Sequence, residues 1–284
     1  MEAAAPMSAH ALERTETKAL EYRHTLTTRI THWLTALAFI ILMMSGLQIF
    51  NASPDLDASD KSDAGRRVLS IQGGTAGGAP VGITQIFGWR IHTTHLFGYG
   101  DDGMGGETSR AFPAWLTWPG YQDLADGRRW HFFFAWVLVL GGVAYMVDGF
   151  RRKDLQLLIL RRDDLPKLLP MQLYYLRLRK EPPLHGKYNP LQKAAYTTVL
   201  FVFTPLIVIT GLALSPGIDA IAGPLTAVFG GRQFARLWHF VLMIALIGFV
   251  LTHVTLVLST GFFNNMRSMI TGWYRPGKHE GTGA

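Results

Sequence analysis

The stretch Leu237–Ser259, LWHFVLMIALIGFVLTHVTLVLS, contains no Asp, Glu, Lys or Arg, yet it holds two imidazoles, His239 and His253. Its length suits a helix that crosses a bilayer, which takes about 17–25 apolar residues. Fourteen residues separate the two histidines, close to four helical turns, so both project from one face. At about 1.5 Å rise per residue they lie roughly 21 Å apart along the axis, near opposite edges of a ~30 Å hydrocarbon core. An ionisable side chain inside a span is costly and points by default to function. Two on one stripe, one per leaflet, are the pattern expected of ligands to two stacked groups.

Outward from this stretch, three more are nearly free of charge: Ile30–Phe50, His131–Val147 and Ala194–Leu214. The second is the shortest and is expected to recruit Trp130. The 284 residues are 49% hydrophobic and 17% charged, and these averages conceal that segregation. The predicted fold class is an all-α membrane protein, a four-transmembrane-helix bundle with a long outer loop and short interfacial helices. An open sheet is excluded within lipid because its edges would be unsatisfied. With no cysteine, thiolate-held iron–sulfur clusters, disulfides and covalently attached c-type haem are excluded. Residues 1–28 lack the apolar run of a signal peptide, so the first span is expected to serve as its own uncleaved insertion signal.

The net charge of +7 is unevenly placed. Residues 151–193 carry Arg151, Arg152, Lys153, Arg161, Arg162, Lys167, Arg177, Arg179, Lys180, Lys187 and Lys193, and the leader adds Arg14, Lys18, Arg23 and Arg29. Under the positive-inside rule both are cytoplasmic. The first connection, residues 51–127, offsets its basic residues with Asp55, Asp57, Asp60, Asp63, Asp101, Asp102, Glu107, Asp123 and Asp126, and is expected on the outer, periplasmic side. Arg267, Arg275 and Lys278 bring the tail back inside. The expected layout is a loose cytoplasmic leader over 1–24, one membrane domain over 25–272 and a cytoplasmic tail over 273–284. Both termini are then cytoplasmic, in a bacterial inner membrane. The basic bias is a topology signal and carries no nucleic-acid signature.

The long first loop is rich in Asp, Ser and Gly over Ser53–Gly82; beyond it, Trp89, Trp115, Trp118 and Tyr121 suggest short interfacial helices or a docking surface. On the cytoplasmic side, Leu155–Leu178 alternates Leu with charges and contains Pro166 and Pro170, reading as two short interfacial helices. Ser215–Gly231 is rich in Gly and Pro.

Alternating span direction gives each histidine a depth. His32 opens the first span from the cytoplasm, and His131 opens the second from outside. His239 then lies at the outer level and His253 at the inner one. The pairs are His131 with His239 and His32 with His253, each able to ligate one haem iron through neutral imidazoles. A bis-histidine iron has no open position, which favours electron transfer over oxygen chemistry. Arg29, Arg128 and Arg236 each precede a histidine by three residues, on the same helix face and nearer water. Haem propionates emerge there, and arginine is the favoured carboxylate partner. His253 has no such neighbour. Gly46, fourteen residues after His32, and Gly141 and Gly142 suit either a porphyrin edge or plain helix packing. His92 and His95 could bind a metal or replace His131, although solvation in the loop is the simpler reading; His24, His185 and His279 are expected to be solvated. Eight tryptophans, among them Trp33, Trp130 and Trp238, mark interfaces.

Taken together, R-x-x-H-W at Arg29–Trp33, R-R-W-H at Arg128–His131, G-K-Y-N-P-L-Q-K at Gly186–Lys193 and the His239/His253 pair resemble the bacterial di-haem b-type cytochromes. These are the membrane subunits of nickel–iron hydrogenases, respiratory formate dehydrogenases and thiosulfate reductase-like enzymes. The resemblance covers roughly Thr25–Gly272. It implies two b-type haems ligated by His32, His131, His239 and His253. It also implies an electron-transfer subunit, rather than a complete enzyme, working between the quinone pool and a catalytic oxidoreductase on the periplasmic side, of molybdenum-cofactor or hydrogenase type. Asn189, Gln192 and Lys193 match a motif bordering the quinone pocket, so the resemblance makes Asn189 a quinone contact; from the residues alone, Asn189–Pro190 is equally a helix start. The long first loop departs from the simpler members and leaves the partner's identity open. Alternatives are a stand-alone quinone oxidoreductase with a small outer donor such as superoxide, a haem-free transporter with a histidine relay, or a passive anchor. Against a transporter, the spans hold no Asp or Glu except Asp148 near an end, although Pro205 interrupts the third.

Overall fold

Among the described residues of the computed structural model, four helices are long and apolar enough to cross a bilayer: span 1 Leu26–Phe50, span 2 Leu124–Arg151, span 3 Pro190–Leu214 and span 4 Arg232–Ser259. The structure describes residues 20–183, 186 and 188–276. The rest of the expected leader and tail, with Arg14, Lys18, His185, Lys187, Lys278 and His279, lies outside the described residues. Each span starts earlier than its apolar stretch, because charged and polar turns continue the helix beyond the hydrocarbon. Short polar side chains set the starts. Thr25 Oγ1 accepts from the N–H of Thr28 at 3.1 Å, Asp123 Oδ1 from Asp126 at 2.9 Å and Asn189 Oδ1 from Gln192 at 2.9 Å. Pro205 does not end span 3. The ladder widens to a π turn over Val199–Phe203, and the helix resumes at Thr204.

The connection between spans 1 and 2 corrects the expectation of an all-helical chain. Its interfacial helices reduce to two single turns, Ala64–Arg66 and Ala114–Leu116. The remainder is antiparallel sheet: β2 (Asp55–Asp57), β3 (Arg67–Ala76), β4 (Ala79–Ile86) and β5 (Trp89–His92) pair in chain order, and β6 (Gly98–Asp101) pairs with β7 (Glu107–Arg110). The β3–β4 hairpin turns on Gly77 and Gly78, whose φ values of +61° and +85° suit the tight two-residue turn that matches strand twist. The sheet does not breach the rule against open edges in lipid, since it lies in the connection and not in a span.

This sheet unit is seated on the bundle. Leu56, Ile71, Ala111 and Phe112 share a buried core with Leu47 and Phe50 of span 1, and Leu237, Phe240 and Met243 of span 4 pack against it. Burial of each large side chain contributes about 1.5–3 kcal/mol. Asn51 closes the joint, with the Phe112 N–H donating to its Oδ1 at 2.8 Å. The end of the bundle carrying this unit is termed the sheet side.

At the opposite, basic side, the two expected short helices are present as Leu155–Leu158 and Leu165–Tyr175, the second running through Pro170. The leader, expected to be loose, meets the start of the tail there in a strand pair, β1 (Glu21–Tyr22) with β8 (Trp273–Tyr274), with the Tyr22 and Trp273 rings 5.2 Å apart. Lys193 at the start of span 3 donates to the Asp164 carboxylate at 3.0 and 3.1 Å. Burial alone would raise the Asp164 carboxyl, but the Arg161 N–H and the Lys193 ammonium outweigh it and hold it below the ordinary carboxylate range. A depressed folded-state value contributes stability above the unfolded pKa, and that stability is lost as pH falls through the folded one. We therefore expect the wild-type chain to lose the contribution of this pair on acidification below about pH 4. Asp164→Asn should show that loss already at neutral pH and a flatter acid limb, read by thermal melting in detergent. An unchanged acid limb in the variant would show that the pair does not supply it.

Candidate functional site

Each side of the bundle holds one pair of histidines. His131 on span 2 and His239 on span 4 face each other at the sheet side, with ring centroids 6.2 Å apart and ring planes at 62°. His32 on span 1 and His253 on span 4 do so at the basic side, at 6.3 Å and 64°. Two imidazole–metal bonds of about 2.0–2.1 Å, added to the distance from each ligating nitrogen to its ring centre, need roughly 6.3 Å. The spacing of both pairs therefore fits one metal held between two imidazoles. Among the described residues no group of three or more His, Cys, Asp or Glu side chains could hold a bare ion. Two neutral imidazoles with nothing else suit a metal that brings its own equatorial ligands, as haem iron does.

Sequence reasoning missed the partners of the sheet-side pair. Ser45 Oγ lies 3.1 Å from His131 Nδ1, and Thr210 Oγ1 lies 3.0 Å from His239 Nδ1. Each hydroxyl is followed by glycine. A Cβ on Gly46 would sit 3.4 Å from His131 Cε1, and one on Gly211 would sit 3.3 Å from His239 Cε1. The neighbour facing Gly46 is thus the imidazole of the next helix. The recurrence of Ser-Gly and Thr-Gly in two spans was the available signal. On the basic side, His253 stacks on Phe249 at 5.9 Å, and Trp33, beside His32, donates from Nε1 to the Met269 carbonyl at 3.2 Å.

The three arginines lie one turn nearer the bundle ends than their histidines. Arg236 donates to Ser53 Oγ at 3.0 Å and to the Ser53 carbonyl, and lies over the Phe50 ring. Arg29 donates to the Ile270 carbonyl, while its Nε is buried without a partner. Arg128 lies over Phe132. Asn189 is 7% exposed and caps span 3 reciprocally with Gln192, and its Nδ2 donates to the Tyr175 hydroxyl at 3.1 Å. Tyr188 and Tyr196 stack edge-on beside it, 5.7 Å apart. Elsewhere, His95 bonds Glu107 on the exposed β6–β7 hairpin and His92 is exposed on β5, away from both pairs.

Comparison with known proteins bears on this geometry. Over 239 residues the chain is 27% identical to the putative protein-methionine-sulfoxide reductase subunit YedZ1 of Azospira oryzae, covering 81% of this chain and 86% of that one. It is 25% identical over 237 residues to the probable Ni/Fe-hydrogenase B-type cytochrome subunit of Bradyrhizobium diazoefficiens, covering 78% of this chain and 94% of that one. No solved structure matches. The model of the prokaryotic cytochrome b561 family matches residues 23–272, a region that takes in all four spans and all four paired histidines. The chain belongs to the prokaryotic cytochrome b561 family, as a multi-pass bacterial membrane protein that carries haem b and transfers electrons.

Proposed function

We propose that this protein is a di-haem subunit passing electrons between the quinone pool and a catalytic oxidoreductase at its sheet side. The observation that carries the reading is the two-level arrangement of histidine pairs at 6.2 and 6.3 Å, one toward each end of the bundle. His131 with His239 and His32 with His253 would each hold one haem b, which supplies a one-electron couple when bound. Two imidazoles per iron would leave no protein-free coordination site, so the residues favour electron transfer over binding a small molecule at the metal. Arg29, Arg128 and Arg236 place cations at the levels where propionates reach water. Arg236 in addition ties span 4 to Ser53 at the base of the sheet unit.

By charge placement, the sheet side is periplasmic and the basic side, with both termini, is cytoplasmic. The quinone head group is placed at the basic side, near Asn189, Tyr188 and Tyr196. Asn189 Oδ1 is committed to its cap, which leaves the second Nδ2 hydrogen as its available donor. The partner is placed on the sheet unit, where Trp115 is 60% and Trp118 41% exposed. Both named relatives are subunits of oxidoreductases, which supports a catalytic oxidoreductase partner; the molybdenum-cofactor or hydrogenase type rests on the resemblance in sequence.

The test is the optical spectrum of the purified chain, oxidised and then reduced with dithionite, with haem assayed per polypeptide. The expected result is a b-type spectrum with two haems per chain. One haem per chain would remove the two-level reading, and none would favour a haem-free histidine relay. Quinol oxidation by the purified chain alone, with no partner, would favour the stand-alone oxidoreductase.

A further inference from the structure

Ser45 and Thr210 are both wholly buried, about one turn inside the sheet-side ends of spans 1 and 3. A hydroxyl has one proton to donate. Ser45 Oγ donates to the Ile41 carbonyl at 2.6 Å, with Leu42 further off at 3.3 Å. Thr210 Oγ1 donates to the Leu206 carbonyl at 2.8 Å, with Ile207 at 3.1 Å. Carbonyls carry no proton, so these bonds run one way, as is usual for serine and threonine inside a helix. Only acceptor capacity remains on each oxygen, and what faces it is Nδ1 of His131 at 3.1 Å and Nδ1 of His239 at 3.0 Å, two rings that the Leu42 and Ile207 carbonyls, acceptors as well, also approach. An acceptor in that position requires a hydrogen on Nδ1. A neutral imidazole has only one N–H, so Nε2 of both rings is left as a bare lone pair. The two rings of the pair are therefore set to the same tautomer from two different helices.

The basic-side pair has no such hydroxyl partners among the described residues. Its spacing is the same within 0.1 Å (6.2 against 6.3 Å). Among the described residues, however, no hydrogen bond reaches a ring nitrogen of His32 or His253. The recess is also built twice on the sheet side, since Gly46 and Gly211 follow the two hydroxyls and make room for the imidazole edges. A hydroxyl and a missing side chain on span 1 serve span 2, and the same two features on span 3 serve span 4.

We propose that Ser45 and Thr210 are positioning residues for the sheet-side haem: they select Nε2 as the ligating nitrogen and, by accepting from Nδ1–H, make both imidazoles stronger donors to the iron. This rests on the reading that His131 and His239 share one haem. The couple concerned is Fe(III) plus one electron to Fe(II), with no group or proton transferred. Stronger donation favours the ferric side, so the hydroxyls hold the sheet-side midpoint lower than the same two histidines would without them.

The experiment is an optical redox titration of purified Thr210→Val and Ser45→Ala, each made also in a His253→Ala background that isolates the sheet-side haem, with haem content measured in parallel. Each variant is expected to raise the sheet-side midpoint and leave the basic-side midpoint where it was; every tenfold loss of ferric preference reads as about 59 mV for a one-electron couple. Thr210→Ser and Ser45→Thr, which keep the hydroxyl, are expected to titrate as wild type. If Thr210→Val loses the haem outright while Thr210→Ser keeps it, the hydroxyl is again the group responsible. The proposal is overturned by an unmoved sheet-side midpoint at full haem content, by equal shifts at both haems, or by Val and Ser variants of Thr210 behaving alike. Failure of the underlying reading looks different: His239→Ala would keep two haems per chain, whatever the midpoints do.

Discussion

Replacing His239 with alanine is expected to cut haem from two per chain to one, and the haem that survives is the basic-side one. The imidazole of His239 faces that of His131, 6.2 Å away, and among the described residues no third His, Cys, Asp or Glu side chain joins the pair. His131 alone would supply one protein ligand in place of two, and a haem held by a single imidazole would be retained less tightly. His32 and His253 lie about four helical turns away, roughly 21 Å along span 4, and share no hydrogen bond with the sheet-side pair. Additivity between sites so separated is the ordinary expectation. His253→Ala should give the mirror result, losing the basic-side haem while Ser45 and Thr210 still hold the other pair in place. The measurement is a pyridine haemochrome assay per polypeptide, with the reduced spectrum resolving which component remains. Loss of both haems in either single variant would contradict independent sites, and retention of both would remove His239 from the ligand set.

The four spans were legible because bilayer thickness imposes a length and a polarity on each of them, and both can be read directly from Ile30–Phe50 or Leu237–Ser259. The juxtaposition of His32 with His253 follows from direction and depth alone, with no knowledge of packing. The sheet unit was illegible for the opposite reason. A segment outside the bilayer is under no such constraint, and its aromatics, Trp89 among them, suggest interfacial helices or a docking surface, whereas most of Ile83–Gly98 lies in strands. The Gly77–Gly78 pair between Val- and Ile-containing flanks was the turn signal, obscured by the Asp, Ser and Gly around it. Ser45 and Thr210 were missed because a hydroxyl in a span usually bonds only its own helix; that it also accepts from a histidine on the neighbouring helix is a fact of packing. For Asn189 the sequence supported both a cap and a ligand contact, and the structure supplies the cap in full.

Arg110→Met is expected to release the sheet unit from the bundle while the spans stay folded. Arg110 is 3% exposed, and no carboxylate among the described residues is in salt-bridge contact with it. Its guanidinium is held by neutral acceptors drawn from three places. Nη1 donates to the Gly120 carbonyl at 3.0 Å and the Asp102 carbonyl at 3.3 Å, and Nη2 to Thr117 Oγ1 at 3.0 Å and to Gln48 Oε1 at 3.2 Å. Gln48 belongs to span 1, two residues beyond the glycine that faces His131, and its Nε2 in turn donates to the Tyr121 carbonyl at 2.8 Å. One side chain thus joins the β6–β7 hairpin, the segment leading into span 2 and span 1 itself. Burial lowers the pKa of the guanidinium while Asp101 and Asp102 pull it back up, and arginine stays charged in any case. Methionine would fill much of the volume but leave those acceptors without donors, at about 1–3 kcal/mol each before re-pairing. Thr117 keeps its bond to the Ala114 carbonyl and Gln48 keeps Asn51, so the net loss is on the order of 3 kcal/mol, which corresponds to about a hundredfold rise in the population of the detached unit. Limited proteolysis from the sheet side reads that population directly when opening is fast relative to cleavage. We expect residues 98–120 to be cut about a hundred times faster than in wild type, and Arg110→Lys to fall between the two, since an ammonium restores charge but not the fork that reaches both Gly120 and Gln48. The haem content should be unchanged in both variants, because all four histidines stand on spans. Protection equal to wild type in Arg110→Met would mean that the apolar joint of Phe50, Leu56, Ile71 and Phe112 holds the unit by itself, and that the buried cation serves the site in some way other than as a fastener.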